Sequence, residues 1–450
     1  RSAVQIRPPQ PMMIDYTKNF YNKTTFLEKS FIILLCLFPI SIIIGNLFIN
    51  LTFLLIFIIF CADLFINKNF SFTKENIFII LTLFFFSLLV NLYFSTDTLA
   101  SLPRVLKILE VISLIILLKK IINKYENEFE DIILGFWAMV FSILLIDILY
   151  ESIFGFNTIG FKSYMSGRVA SFFGDELVAG SFFLGFVSIY VIRISNILKS
   201  NINVKLSILV IFLITVSFLI GERANFIKFF IIIFFIMLFV IKINLRYKIA
   251  ITLIIISNLF LFLNLNENIK YRYYSQQLEN FKSESKNVKN EDSQNIFVNS
   301  KNNIVDFFKW TKYGAHYNAA YKIFLEKPYF GIGIKNYRNE SYKEKYKNEE
   351  YKWTNERMTT HPHQIHFEFL SETGLFGYIS FLLFILTSLF LSIKNYLKHK
   401  NFYQLATILY VSITLLPILP SGSFFSTYSS SLFWINYAIM VGYIKVPTKS

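Results

Sequence analysis

The sequence predicts an all-α integral membrane protein of about twelve transmembrane helices with one large extracytoplasmic helical loop. Three observations predict it. The 450 residues are 54% hydrophobic and 18% aromatic, with a mean hydropathy of +0.51, above what a soluble globular domain carries. The apolar residues fall in long continuous runs, without the polar–apolar alternation of a membrane β-strand. The basic residues between the runs collect in alternate loops, as the positive-inside rule requires.

Residues 1–13, with two adjacent prolines, read as a vector-derived remnant or a disordered tail, outside the fold. The first apolar run begins near Phe31 and is too long for a cleavable signal. It continues to Ile66, and one span needs only about 20 residues, so it is a tight pair turning near Gly45-Asn46. Further spans are expected at 77–95, 102–122, 131–154, 176–193, 205–220, 224–242 and 248–264. The last three are expected at 374–393, 403–420 and 424–442. Helices 1–9 therefore occupy 14–265, the large loop 266–373, and helices 10–12 with a short tail 374–450.

Loop charge tests this count. One side holds nineteen Lys and Arg, among them Lys68, Lys119, Arg193, Lys205 and Lys394. The short loops of the other side hold Lys162, Arg168 and Arg223. The asymmetry puts both termini in the cytoplasm and the loop outside. It also accounts for the net charge of +15 without nucleic acid. Cys36 and Cys61 both lie in apolar runs and read as buried spacers.

The loop divides in two. Residues 266–305 are Asn-, Lys- and Ser-rich and read as partly mobile. Asp306–Glu326 has helical apolar spacing, closed by Lys327-Pro328, with a turn at Gly331-Ile332-Gly333. A second helix is expected from His361-Pro362, with Pro in its first turn, into the span after Gly374.

Three of the five histidines lie within six residues, His361, His363 and His366. On the first turn of that helix, a neutral His363 can take a proton from a hydroxyl. The plain alternative is a set of interfacial polar residues at a helix start. A metal reading pairs His363 with His366 at i, i+3, with Glu368 or Glu372 adding oxygen. Arg168 and Arg223 sit in outer loops, where guanidinium forks bind phosphate oxygens. Their plain alternatives are a solvated loop charge for Arg168 and a local pair with Glu222 for Arg223. Arg104 and Arg357 are secondary candidates, as are Gln364, His361 and His366. Glu110 within a span is functional by default or pairs with Lys107.

His363-Gln364, nine residues, Gly374, two residues and Gly377-Tyr378 resemble the signature of the O-antigen ligase and O-antigen polymerase superfamily. Ala319-Ala320 to Gly333 resembles that family's helix ending in Pro and Gly-x-Gly, and Arg168 and Arg223 fall where it carries arginines. Glu222 departs from the small residue usual before the second arginine. The arginine common near position 313 is missing, which leaves Lys312 and His316 as nearest substitutes.

The resemblance implies a GT-C-like fold in the bacterial inner membrane, with its site facing the periplasm. It implies a metal-independent, cofactor-free inverting glycosyltransferase that takes a glycan from undecaprenyl diphosphate. His363 would activate the acceptor hydroxyl, and Arg168, Arg223, Lys312 and His316 would hold the donor diphosphate. As a ligase, the protein would transfer the glycan to lipid A–core in lipopolysaccharide assembly; as a polymerase, to another lipid-linked repeat. A flippase or transporter is the remaining alternative. It predicts charges near the bilayer midplane, whereas these cluster at one face.

Overall fold

A computed structural model describes residues 20, 22–68, 70–198, 202–239, 244–265, 267–275, 309, 311–417 and 419–445. The tail at 1–13, most of the polar stretch 266–305, residues 306–308 and the end of the chain lie outside the described residues. What is described is helical, with no strand.

Each of the twelve expected spans is occupied by a helix. In order they are α1 Phe26–Ile44, α2 Asn46–Asn67, α3 Asn76–Tyr93, α4 Thr98–Lys124, α5 Leu134–Phe154 and α6 Ala179–Ile197. Then come α7 Ile202–Leu219, α8 Arg223–Phe239 and α9 Leu245–Leu265. The loop supplies α10 Lys312–Glu326, and the chain ends with α11 Ile365–His399, α12 Phe402–Thr414 and α13 Thr427–Gly442. Among the described residues, seven helices are long and apolar enough by themselves to cross a membrane. Leu47, Phe65 and Leu253 stand exposed on α2 and α9. In a soluble bundle such faces would be polar; here they mark the surface that lipid covers. This is an integral membrane all-α protein.

The helix ends follow local chemistry. Thr25 and Glu28 form a capping box at the start of α1, and Gly45, at φ 125°, makes the tight turn into α2. The last helix, α13, is the core of the bundle. Trp434 and Tyr437 are buried and pack on Phe384 of α11, and Asn436 donates to the Gly185 carbonyl of α6.

Three boundaries differ from expectation. The span expected to reach residue 420 stops at Thr414, because Pro417 and Pro420 cannot continue the ladder. The last-but-two helix begins at Ile365, not at His361-Pro362, because Gln364 caps it by accepting the Phe367 N–H at 3.1 Å. That helix then runs through Gly374, which breaks it at φ 64° and ψ −171°.

The break explains the glycine turn. The N–H groups of Leu375 and Phe376, orphaned at the break, donate to the carbonyls of Pro328 and Tyr329 at 2.8 and 3.0 Å. In return the Ser371 and Glu372 carbonyls accept from Ile332 and Gly333 at 3.1 and 2.8 Å. A Cβ on Gly374 would stand 2.5 Å from the Tyr329 carbonyl carbon, so only glycine fits. Gly331-Ile332-Gly333 thus serves as a backbone clasp on α11.

Candidate active site

The histidine cluster, the arginine loops and the start of α10 lie together at one end of the bundle. Two carboxylates at the end of α5 shape the first arginine loop. Asp147 accepts from the Thr158 N–H at 2.8 Å and the Ser171 hydroxyl at 2.6 Å. Glu151 accepts the Ser171 N–H at 2.6 Å and the Ala170 N–H at 3.1 Å. The Val169 N–H then donates to the Ile220 carbonyl at 3.1 Å, docking this loop on the α7–α8 turn. Gly221, at φ 77°, lets the two backbones meet: a Cβ there would lie 1.9 Å from the Gly167 carbonyl oxygen. Arg168 and Arg223 are adjacent for this reason.

The same junction receives a third arginine that sequence reasoning did not single out. Arg272, after α9, donates to the Gly221 carbonyl at 3.0 Å, and Arg223 donates to the Arg272 carbonyl at 3.3 Å. Burial, and then the charges of Arg223 and Arg168, push the Arg272 guanidinium down to about 10. Arg272, about forty residues upstream of Tyr313, thus brings a further guanidinium to this junction. A sequence scan for Arg just beyond the ninth apolar run would have found it.

Glu222 does not pair with Arg223 through an ion pair; it pairs with Arg168 at 3.0 Å. It also accepts the Gly180 N–H at the start of α6, at 3.0 Å. Arg168 adds a 2.6 Å bond to the Leu177 carbonyl. Its guanidinium is therefore braced, not solvated.

On the other side of the site, His363 precedes α11 with φ 56°, outside the helix. The Ser421 N–H fixes its carbonyl at 2.8 Å. Its ring lies 4.1 Å from that of His361, 5.0 Å from that of His316 and 6.1 Å from that of Tyr313. Burial lowers its pKa, so it is neutral at pH 7. Among the described residues, no side chain hydrogen-bonds its ring nitrogens. His316 is pushed down to about 3 by burial and then by His363 and Lys312. His361 is pushed down to about 2 by burial and then by His363 and Lys335. Each also keeps one buried ring nitrogen without a partner: Nδ1 of His316 and Nε2 of His361. Tyr313 bridges the halves, since Arg223 and Arg272 both feel its phenol.

The remaining residues have other surroundings. His366 uses both ring nitrogens, with the Tyr378 hydroxyl at 2.9 Å and the Leu415 carbonyl at 2.8 Å. Because His363 precedes the helix, the i, i+3 pair of the metal reading does not form. Glu368 and Glu372 are buried and accept backbone N–H groups of Phe424, Lys335 and Tyr337. Gln364 caps α11 and donates to the Pro417 carbonyl. Arg357 is buried inside the loop on Glu344 and the Thr354 carbonyl. Lys312 pairs with Glu356 at 2.8 Å and lies over Trp353. Arg104 donates to Thr427 at 2.9 Å. Lys107 of α4 is buried against Asn50 and the Phe53 ring, with Glu110 nearby.

The fold and site define a multi-pass membrane protein with imidazoles and guanidiniums gathered at one end of the bundle. A family model described as Wzy_C, O-antigen ligase, matches residues 208–382. That match covers less than half of the chain; it supports the O-antigen ligase superfamily and, in general terms, a ligase- or polymerase-type function. It spans Arg223, Arg272, His316 and His363, and leaves Arg104 and Arg168 upstream. No curated protein matches the chain.

Proposed function

We propose that the protein is an O-antigen ligase, transferring a glycan from undecaprenyl diphosphate to lipid A–core. The observation that carries the reading is the neutral His363 imidazole, without a side-chain partner among the described residues, 6.1 Å from Tyr313, whose phenol Arg223 and Arg272 both feel. In the proposed reaction His363 accepts the proton of an acceptor hydroxyl as that oxygen attacks the anomeric carbon. The new carbon–oxygen bond forms opposite the bond to the diphosphate, which breaks with its electron pair and inverts the centre. Arg168, Arg223 and Arg272 neutralise the departing diphosphate, which already carries charge and needs cations more than a general acid. His316 and His361 stay uncharged beside it. No metal or cofactor enters this scheme.

The positive-inside asymmetry supports an inner-membrane orientation with both termini in the cytoplasm and the site at the periplasmic face. The polymerase reading shares the family and the same residues. Envelope glycolipids from a strain lacking the gene decide between them. Full-length chains stranded on the lipid carrier support the ligase. A single repeat still attached to core overturns it in favour of the polymerase.

A further inference from the structure

A cleft opens beside His361. It has a volume of about 490 Å³ and is lined by Arg338, Asn339, Tyr342, Thr359 and Thr360. That size falls in the ~300–1,000 Å³ range of small-ligand sites. Its wall is joined to the candidate base by a short chain of contacts. The Thr360 hydroxyl meets His361 Nδ1 at 3.0 Å, and the His361 ring packs 4.1 Å from that of His363.

The chemistry of the cleft is cationic and sugar-like. Arg338 is exposed and meets no carboxylate among the described residues. Arg104 lies near it, bonded to the Thr427 hydroxyl, and likewise meets no carboxylate among the described residues. Lys335 behind them donates to Ser423 at 2.7 Å and faces the buried Glu368 and Glu372, so its charge is compensated. Two guanidiniums therefore remain for an incoming anion. Tyr342 is 57% exposed and offers a ring face, while Asn339 and the two threonines offer hydrogen-bond partners.

A two-substrate transferase needs two approaches to one base. Arg223 and Arg272 approach His363 by way of Tyr313; this cleft reaches it through Thr360 and His361. We propose that the cleft at Arg338 and Tyr342 binds the acceptor, an oligosaccharide carrying phosphate groups. The proposal rests on the transferase reading given above.

The test uses the full-length protein in detergent or nanodiscs. The donor is an undecaprenyl-diphosphate glycan, and the acceptor is lipid A–core, either intact or stripped of phosphate by hydrogen fluoride. Arg338→Glu is expected to raise the acceptor KM about tenfold while the donor KM stays within about twofold, since a charge-assisted guanidinium contact has roughly that worth. Arg338→Lys should fall between. The preference of the wild type for intact over stripped acceptor should vanish in Arg338→Glu. An unchanged acceptor KM, or equal losses for both acceptors, overturns the subsite. Direct binding of intact lipid A–core separates the two ideas. Binding that Arg338→Glu weakens, in a wild type that transfers nothing, retains the subsite and removes the transferase reading. Binding that Arg338→Glu leaves intact overturns the subsite whatever the activity.

Discussion

The two ends of the helix bundle handle positive charge differently. At the end where α1 starts and α4 finishes, lysines meet carboxylates one to one. Lys119 pairs with Glu75, Lys120 with Asp63 at 2.7 Å, and Lys124 with Glu28 at 2.8 Å. Arg193 adds Asp131 at 2.6 Å. At the opposite end Arg168 pairs with Glu222 but also bonds to a backbone carbonyl, as Arg223 and Arg272 do, and Arg104 bonds to a threonine hydroxyl. A cation paired with a carboxylate has spent its field locally. A carbonyl or hydroxyl orients a guanidinium without cancelling its charge, which suits it to positioning against an anion. The difference separates charge that fixes the helices from charge that can recognise a phosphate.

If that contrast is right, substitutions at the two ends should have unequal consequences. The largest effect is expected at His363. His363→Ala should lower transfer by about 10²–10⁴-fold, the usual worth of a positioned general base, with normal amounts of protein in the membrane fraction. Transfer near the wild-type rate would remove the base assignment. Next come the arginines. Arg272→Ala and Arg223→Lys should each cost at least about tenfold in transfer from the lipid-linked donor, because a lysine cannot replace the guanidinium fork. Full activity of Arg223→Lys would reduce that residue to a point charge.

A smaller effect is expected with pH. Burial holds His363 below its ordinary pKa, so the neutral base survives further into acid. The acid limb of kcat/KM should therefore lie below about pH 6.5, the unperturbed histidine value. A limb above that value would mean a cationic ring stabilised by a neighbouring anion. The smallest effect belongs to the paired end. Lys120→Ala should leave transfer within about twofold and change stability by no more than about 1 kcal/mol, as expected for a partly exposed ion pair. A loss comparable to that of Arg223→Lys would erase the contrast between the ends.

Much of this protein can be read from the chain alone, and the reason is physical. Hydrophobic runs of bilayer length report helices residue by residue, so every expected span is matched by a helix. The His363 to Tyr378 motif was likewise visible, because its spacing is carried by one segment. What the sequence could not supply were contacts between segments far apart. The brace of Glu222 on Arg168, the arrival of Arg272 at Gly221 and the pairing of the 328–333 turn with the break at Gly374 arise where separate loops close on one another. The same closure places His363 before its helix in a left-handed conformation, commits His366 to the Leu415 carbonyl and buries Arg357 inside the loop. Local hydropathy and spacing fixed which residues are helical; the packing of glycine-lined turns decided which charged groups meet.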